Sequence, residues 1–93
     1  MKNTLQSALQ RFQGAMKLNT QQLTVLELVG SKPGETITDL AITMGVQHYV
    51  ITRATQKLED RGLVIRHGDG RTTRVYTTRA GTELLAGLGA GRG

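Results

Sequence analysis

One stretch decides the fold of this chain, residues 45–64, which read Gly45-Val46-Gln47-His48-Tyr49-Val50-Ile51-Thr52-Arg53-Ala54-Thr55-Gln56-Lys57-Leu58-Glu59-Asp60-Arg61-Gly62-Leu63-Val64. At a helical period, apolar side chains fall on one stripe and polar side chains on the opposite one, the pattern of a helix packed against a core. The apolar stripe holds Val50, Ile51, Ala54 and Leu58, and the polar stripe holds Tyr49, Thr52, Arg53, Gln56 and Asp60. A short apolar helix precedes the Gly-Val pair, and two helices joined by so tight a turn predict a helix-turn-helix.

The rest of the chain predicts elements that pack around this helix pair. Hydrophobic spacing and β-branched runs predict helices over 3–17, 20–29, 37–44, 48–61 and 79–88, and strands over 63–67 and 72–78. Thr20, Thr36 and Thr78 are the expected N-caps. We therefore expect a mainly α fold with a small β-hairpin wing, a winged helix-turn-helix in the order α-α-α-turn-α-β-β-α. One domain is expected over residues 1–88, followed by a glycine-rich tail over 89–93.

Composition excludes several classes of protein. The chain has no Cys, which excludes disulfides and thiolate metal sites. It has no apolar run long enough to span a bilayer or to serve as a signal peptide, so we expect a soluble cytoplasmic protein without a membrane partner. Its two histidines, His48 and His67, have no carboxylate at ligand spacing, and no nucleophile has a base nearby. We expect no metal, no cofactor, no catalytic residue and no enzyme activity.

The formal net charge of +5 is distributed unevenly along the chain. Residues 47–93 carry eight basic and four acidic side chains, whereas residues 1–46 carry four and three. A positive field concentrated in one half suits a phosphate-rich partner, although an ordinary solvated surface explains the charge equally well. The sequence has only two Tyr, one Phe and no Trp, which argues against a protein that stacks single-stranded bases on aromatic rings.

Several motifs between about residues 18 and 85 resemble a known family, the MarR-type transcriptional regulators. The shared motifs are Gln22-Leu23-x-x-Leu26, Leu40-Ala41, Val46, Ile51-Thr52-Arg53, Leu58-Glu59-Asp60-Arg61-Gly62-Leu63-Val64, Arg66 and Asp69-x-Arg71-x-x-x-Val75-x-x-Thr78-x-x-Gly81-x-x-Leu84-Leu85. One departure is Thr77, where the family usually has Leu. The resemblance implies a regulator that binds double-stranded DNA as a dimer, with its recognition helix in the major groove and the wing Arg in the minor groove.

The family usually has longer terminal helices that form the dimer. Here the last predicted helix runs into glycine near Leu88, so most of that dimerisation module and the usual effector pocket are expected to be absent. We expect no small-molecule effector. A homodimer is expected instead through the apolar stripe of the N-terminal helix, Leu5, Leu9, Phe12 and Met16.

The candidate DNA contacts lie on the recognition helix and the wing: Gln47, His48, Tyr49, Thr52, Arg53, Gln56, Asp69, Arg71, Thr73 and Arg74. Arg53 has the donors to bind guanine, and Gln47 has the donor and the acceptor to bind adenine. Asp69 is expected to hold Arg71 in an ion pair at the wing tip, and Thr73 and Arg74 are expected to contact phosphate. The competing interpretations are a solvated helix face, a Tyr49 packed against the turn, and an exposed loop pair that contributes little.

The leading hypothesis is a sequence-specific regulator of transcription that binds double-stranded DNA and acts as a repressor. One alternative is a winged helix that serves as a protein-interaction module. The other alternative keeps DNA binding but assigns it to a control protein of replication, partition or a mobile element.

Overall fold

The computed structural model describes residues 18–89, which form a winged helix-turn-helix of four α-helices and a three-stranded antiparallel sheet. The helices are α1 (Thr20–Ser31), α2 (Ile37–Met44), α3 (His48–Asp60) and α4 (Arg79–Gly89), and the strands are β1 (Glu35–Thr36), β2 (Val64–His67) and β3 (Arg74–Thr77). A short 3-10 turn, Gly70–Thr72, lies between β2 and β3. The predicted helix over 3–17, with its stripe Leu5, Leu9, Phe12 and Met16, lies outside the described residues. So does most of the glycine-rich tail.

The start of α1 differs from the prediction by one residue. Asn19, not Thr20, is the N-cap: its side chain accepts from the Gln22 amide at 2.7 Å, and the Gln22 side chain accepts from the Asn19 amide at 3.0 Å. This reciprocal capping box satisfies two amides that a Thr20 cap would leave open. At its other end α1 continues past Gly30, where a Cβ would lie 2.6 Å from Leu85 of α4. The glycine therefore permits close packing of α1 against α4 rather than ending the helix.

The turn between α2 and α3 is as tight as predicted. Thr36 caps α2 by accepting from the Asp39 amide at 3.1 Å, and α2 has the predicted bounds. Gly45 ends it in the left-handed conformation, with φ 67°, and the Val46 amide then donates to the Ala41 carbonyl at 3.0 Å. Because L-residues adopt that conformation at a cost, glycine is the residue that reverses the chain here without strain.

The sheet has a third strand that the sequence analysis did not predict. β1 pairs with β3 through Glu35 opposite Val75 and Thr36 opposite Arg74, which makes β3 the central strand in the order β1-β3-β2. The predicted two-stranded hairpin of the wing is present, because β2 pairs antiparallel with β3, and β1 adds a third strand on the other side of β3. β1 has only two residues and leads directly into α2. Two residues are too few to show the sequence pattern of a strand, so β1 is recognised only by its pairing with β3. The pairing of β1 with β3 attaches the wing to the start of the helix-turn-helix.

The core lies where α3 packs against the other elements. Ile51 and Leu58 of α3 are fully buried, with Leu26 of α1, Leu40 of α2 and Val75 of β3. Val50, which was predicted on the same stripe, is only half-buried, and Thr55 is buried in its place. The Thr55 hydroxyl donates to the Ile51 carbonyl at 2.9 Å, which removes most of the cost of burying it.

Helix α4 is fixed to the end of β3 and to the turn after α3. Thr78 is its predicted cap: the Gly81 amide donates to the Thr78 hydroxyl oxygen at 3.1 Å, and that hydroxyl donates to the Gly62 carbonyl at 2.6 Å. One turn into the helix, Gly81 packs directly on the Leu63 carbonyl, with no room for a Cβ. No helix in residues 18–89 combines the length and the apolar character needed to cross a membrane.

The contact between Gly81 and Leu63 gives a test of this packing. We expect Gly81→Ala to lower the free energy of unfolding by about 1–3 kcal/mol, because the new Cβ collides with backbone that cannot move aside cheaply. Gly87→Ala is the matched control in the same helix: nothing lies within 4 Å of its Cβ position, and we expect a gain of roughly 0.5–1 kcal/mol from helix propensity. Urea unfolding of both variants measures the difference. Equal stabilities would contradict the packing.

Candidate nucleic-acid interface

Helix α3 presents a polar face to solvent at the end where it begins. Gln47, Tyr49, Arg53 and Gln56 are exposed, whereas Thr52 is half-buried. Gln47 is the N-cap, yet its side chain makes no capping hydrogen bond, so its amide remains available to a ligand. Because the opposite face is buried in the core, the helix can offer only this face to a partner.

Tyr49 and Arg53 form a pair on that face. The guanidinium carbon of Arg53 lies 5.9 Å from the centroid of the Tyr49 ring, within range of a cation–π interaction. Tyr49 is 59% exposed, so its interpretation as a residue packed against the turn is wrong. The Tyr49 ring supports the Arg53 guanidinium without occupying the hydrogen-bond donors of the guanidinium. Those donors remain free to bind an acceptor.

His48 makes a contact inside the protein. Its Nε2 lies 3.2 Å from the Thr38 hydroxyl oxygen of α2, and the imidazole is half-buried. Of the predicted helix contacts, His48 is therefore the one already engaged with another element of the domain.

An ion pair attaches the base of the wing to the far end of α3. The Arg66 Nε lies 3.3 Å from Glu59 Oε1, too poorly aligned to be a hydrogen bond, while the Arg66 amide donates to Glu59 Oε2 at 3.1 Å. Arg66 Nη1 also reaches the buried Thr55 hydroxyl at 3.5 Å. In the sequence, Glu59 and Arg66 stand out only as parts of the motifs shared with the family. Their contact joins residues on different elements, which helical periodicity does not reveal.

The wing tip differs from the prediction at its acidic residue. Asp69 and Arg71 are both exposed, and the ion pairs within residues 18–89 are Arg66–Glu59 and Arg79–Glu83. The expected ion pair between Asp69 and Arg71 is therefore not formed. In solvent such a pair gains too little to hold two flexible side chains together. Arg71 is left with a guanidinium free to bind an external anion.

The two remaining wing candidates have different environments. Arg74 is exposed, and its Nη1 donates to the Gly34 carbonyl at 2.8 Å, which holds the side chain along the sheet. Thr73 is only 7% exposed and lies on the inward face shared with Val75. Its burial leaves little of the side chain to reach a phosphate, so the expected contact from Thr73 is not supported.

Lys57 adds a cation that is not among the candidate DNA contacts predicted from the sequence. It is exposed and, with Arg53, lines a cleft of about 370 Å³ between α3 and the start of α1, which also contains Asn19, Gln21 and Gln22. The spacing of four residues between Arg53 and Lys57 places both on one side of α3. The four-residue spacing of Arg53 and Lys57 is the sequence feature from which this part of the basic surface could have been predicted. Within residues 18–89 there is no group of three or more potential metal ligands.

Comparison with known proteins gives the family. The model of the MarR family matches residues 17–74, well over half of the chain. The chain belongs to the MarR family. No curated protein matches it significantly.

Solved structures of MarR-family proteins share the fold. A regulator from Silicibacter pomeroyi is 34% identical over 81% of this chain, with a TM-score of 0.70. The multiple antibiotic-resistance repressor from Listeria monocytogenes is 22% identical over 96%, with a TM-score of 0.73. A third match, solved as a MepR–DNA complex from S. aureus, is 19% identical over 96%, with a TM-score of 0.72. The chain spans 52% and 64% of the length of the first two. The expected family and fold are thus confirmed.

The Glu59–Arg66 attachment is testable by comparing two glutamates. We expect Glu59→Ala to destabilise the domain by about 1 kcal/mol, because the Arg66 amide and its guanidinium lose one shared acceptor. Glu83→Ala removes the exposed pair with Arg79 and is expected to change stability by less than about 0.5 kcal/mol. Both changes remove a helical carboxylate, so chemical denaturation isolates the effect of the wing contact. Equal losses of stability in Glu59→Ala and Glu83→Ala would refute a stabilising contact between Glu59 and Arg66.

Proposed function

We propose that this chain is a sequence-specific double-stranded-DNA-binding regulator of transcription, a repressor that acts in the cytoplasm as a homodimer. The observation that carries the proposal is the uncovered polar face of α3 beside a wing whose tip holds a free Arg71. In a winged helix of the MarR family, these are the two elements that can reach adjacent grooves of one duplex. A protein of the same fold has been solved in complex with DNA, which supports DNA as the partner.

Each exposed side chain has a role in this proposal. Arg53, supported by the Tyr49 ring, binds the O6 and N7 acceptors of guanine, and the uncommitted Gln47 amide binds adenine. Thr52 and Gln56 contact a phosphate or a thymine methyl from the same helix. The side chain of Arg71 enters a narrow minor groove, while Arg74 contacts the phosphate backbone.

The charges around this surface favour a polyanion. Arg53, Lys57, Arg71 and Arg74 are exposed, and none of them takes part in the ion pairs found within residues 18–89. Neutralising phosphates with such side chains releases counterions, which makes the affinity fall steeply with salt. A module retained for protein contacts has no need of unpaired arginines on both the helix and the wing.

The dimer is proposed from the apolar stripe Leu5, Leu9, Phe12 and Met16. Among the described residues, an apolar cleft of about 680 Å³ between α1 and α4 adds surface for association, with Leu23, Leu85 and the exposed Leu88 in its lining. The same cleft is open to small molecules, so the expected lack of an effector stays a prediction.

Selection of bound duplexes from a random library at near-physiological salt tests DNA reading. We expect an enriched inverted repeat whose half-sites lie about one helical turn apart. On that duplex, Arg71→Ala is expected to weaken binding roughly tenfold and to lower the salt slope by about one.

The matched control for this selection is Arg79→Ala. It removes the same charge from an exposed position on α4, where Arg79 pairs with Glu83, and is expected to change affinity less than about twofold. An absence of enrichment would overturn the proposal and favour a protein-interaction module. If a duplex is enriched but Arg71→Ala and Arg79→Ala weaken its binding equally, the wing does not contribute to DNA recognition.

Sedimentation equilibrium tests the dimer. We expect the paired substitution Leu9→Ser and Phe12→Ser to reduce the mass to that of one 10.1-kDa chain, because it removes the centre of the apolar stripe. The control replaces Gln10 and Gln13, which lie between the stripe positions, with Ser and should leave the mass unchanged. An unchanged mass in the apolar variant would eliminate this stripe as the interface.

A further inference from the structure

We propose that Thr38 is a positioning residue for DNA binding, which holds the wing tip at a fixed place relative to the recognition helix α3. This proposal rests on the proposed function. Thr38 lies in the first turn of α2 and is half-buried, and nothing in its sequence context singled it out. In the structure it is the point where α2, the start of α3 and the wing tip meet.

Two hydrogen bonds converge on the Thr38 hydroxyl. Its Oγ1 lies 3.2 Å from the carbonyl oxygen of Arg71, which is 33 residues away in the sequence. The Nε2 of His48, the first residue of α3, lies 3.2 Å from the same Oγ1. One side chain thus joins the beginning of the recognition helix to the backbone of the wing residue that we propose enters the minor groove.

The directions of these bonds follow from counting protons. A hydroxyl has one proton to donate, and a carbonyl oxygen can only accept, so the Thr38 proton goes to Arg71. His48 must therefore donate from Nε2, which holds a proton in one neutral tautomer and in the charged ring. Both bonds can exist together with every donor matched to an acceptor. The single hydroxyl of Thr38 thus accepts from His48 and donates to Arg71 at once.

The wing tip has few other attachments to the helices. Within the tip, the Thr72 hydroxyl donates to the Asp69 carbonyl at 2.9 Å and the Thr73 amide to the Gly70 carbonyl at 3.2 Å, which shape the loop without placing it. The Ile37 amide donates to the Thr73 carbonyl at 3.0 Å and fixes the loop where it enters β3. Thr38 extends that attachment back to Arg71.

The bond to Arg71 uses the backbone and spares the side chain. The guanidinium thus remains free for DNA, while the position from which it extends is set by α2. A long flexible side chain loses less entropy on binding when its backbone is already fixed near the groove. Thr38 therefore acts through Arg71, and its contribution to DNA affinity should disappear when the Arg71 guanidinium is absent.

A double-mutant cycle measures this coupling, with the duplex enriched in the selection as the probe. Thr38→Val keeps the shape and β-branching but removes the hydroxyl, and we expect it to weaken binding about fivefold. Arg71→Ala keeps the backbone carbonyl; it should weaken binding about tenfold in the wild-type chain but only about twofold beside Thr38→Val.

Two further variants separate positioning from folding. Thr38→Ser restores the hydroxyl and is expected to recover affinity to within about twofold of wild type. Thr43→Val makes the same chemical change at an exposed position of α2 and is expected to have no effect on binding. Additive losses from Thr38→Val and Arg71→Ala, or a Thr38→Ser variant as weak as Thr38→Val, would overturn the proposal.

A readout without DNA distinguishes failure of this proposal from failure of the proposed function. Hydrogen exchange at the Thr73 amide, inside the wing tip, should be several-fold faster in Thr38→Val than in wild type or Thr38→Ser. Faster exchange with no DNA enrichment would reject the regulator and keep Thr38 as an anchor of the wing. Unchanged exchange together with an uncoupled cycle would reject the positioning role itself.

Discussion

Burial of one stripe of α3 is the constraint on which the rest of the domain depends. Ile51, Ala54 and Leu58 leave solvent together, and the rigid helix must then carry its remaining side chains outward. Tyr49 and Arg53 are exposed for this reason, and no separate interaction is needed to aim them. Because that core includes Leu26, Leu40 and Val75 from three other elements, the recognition face is as well fixed as the core.

The wing is held by a different kind of interaction. It contributes Val64 and Val75 to the core, but its outer part depends on polar contacts: Glu59 with Arg66 at the base and Thr38 with Arg71 at the tip. Such bonds are individually weak and depend on direction, so they set position more than stability. In the proposed function, such contacts hold the wing near a groove without packing it rigidly.

The accuracy of sequence-based prediction follows the range of the forces involved. The bounds of α2 were predicted correctly because Thr36 and Gly45 act within one turn of each end. The cap of α1 was misassigned because Asn19 and Thr20 are both good caps and adjacent.

Features beyond the helix ends were predicted less well. Strand β1 was missed because two residues carry no periodicity. The predicted ion pair between Asp69 and Arg71 is absent because solvent weakens the attraction between exposed charges. The burial of Thr73 was predictable, since it alternates with Val75 on the inward side of the strand.

The contacts that no sequence pattern indicated are the ones that connect the helices to the wing. Thr38 reaches Arg71 across 33 residues, and Glu59 reaches Arg66 across the turn that ends α3. Hydrophobic periodicity specifies which face of each element is buried, but not which polar side chains meet when those faces pack. In the proposed function, the relative placement of α3 and the wing determines whether both can reach one duplex at once. That placement is therefore set by residues outside the candidate DNA contacts, on α2 and at the end of α3.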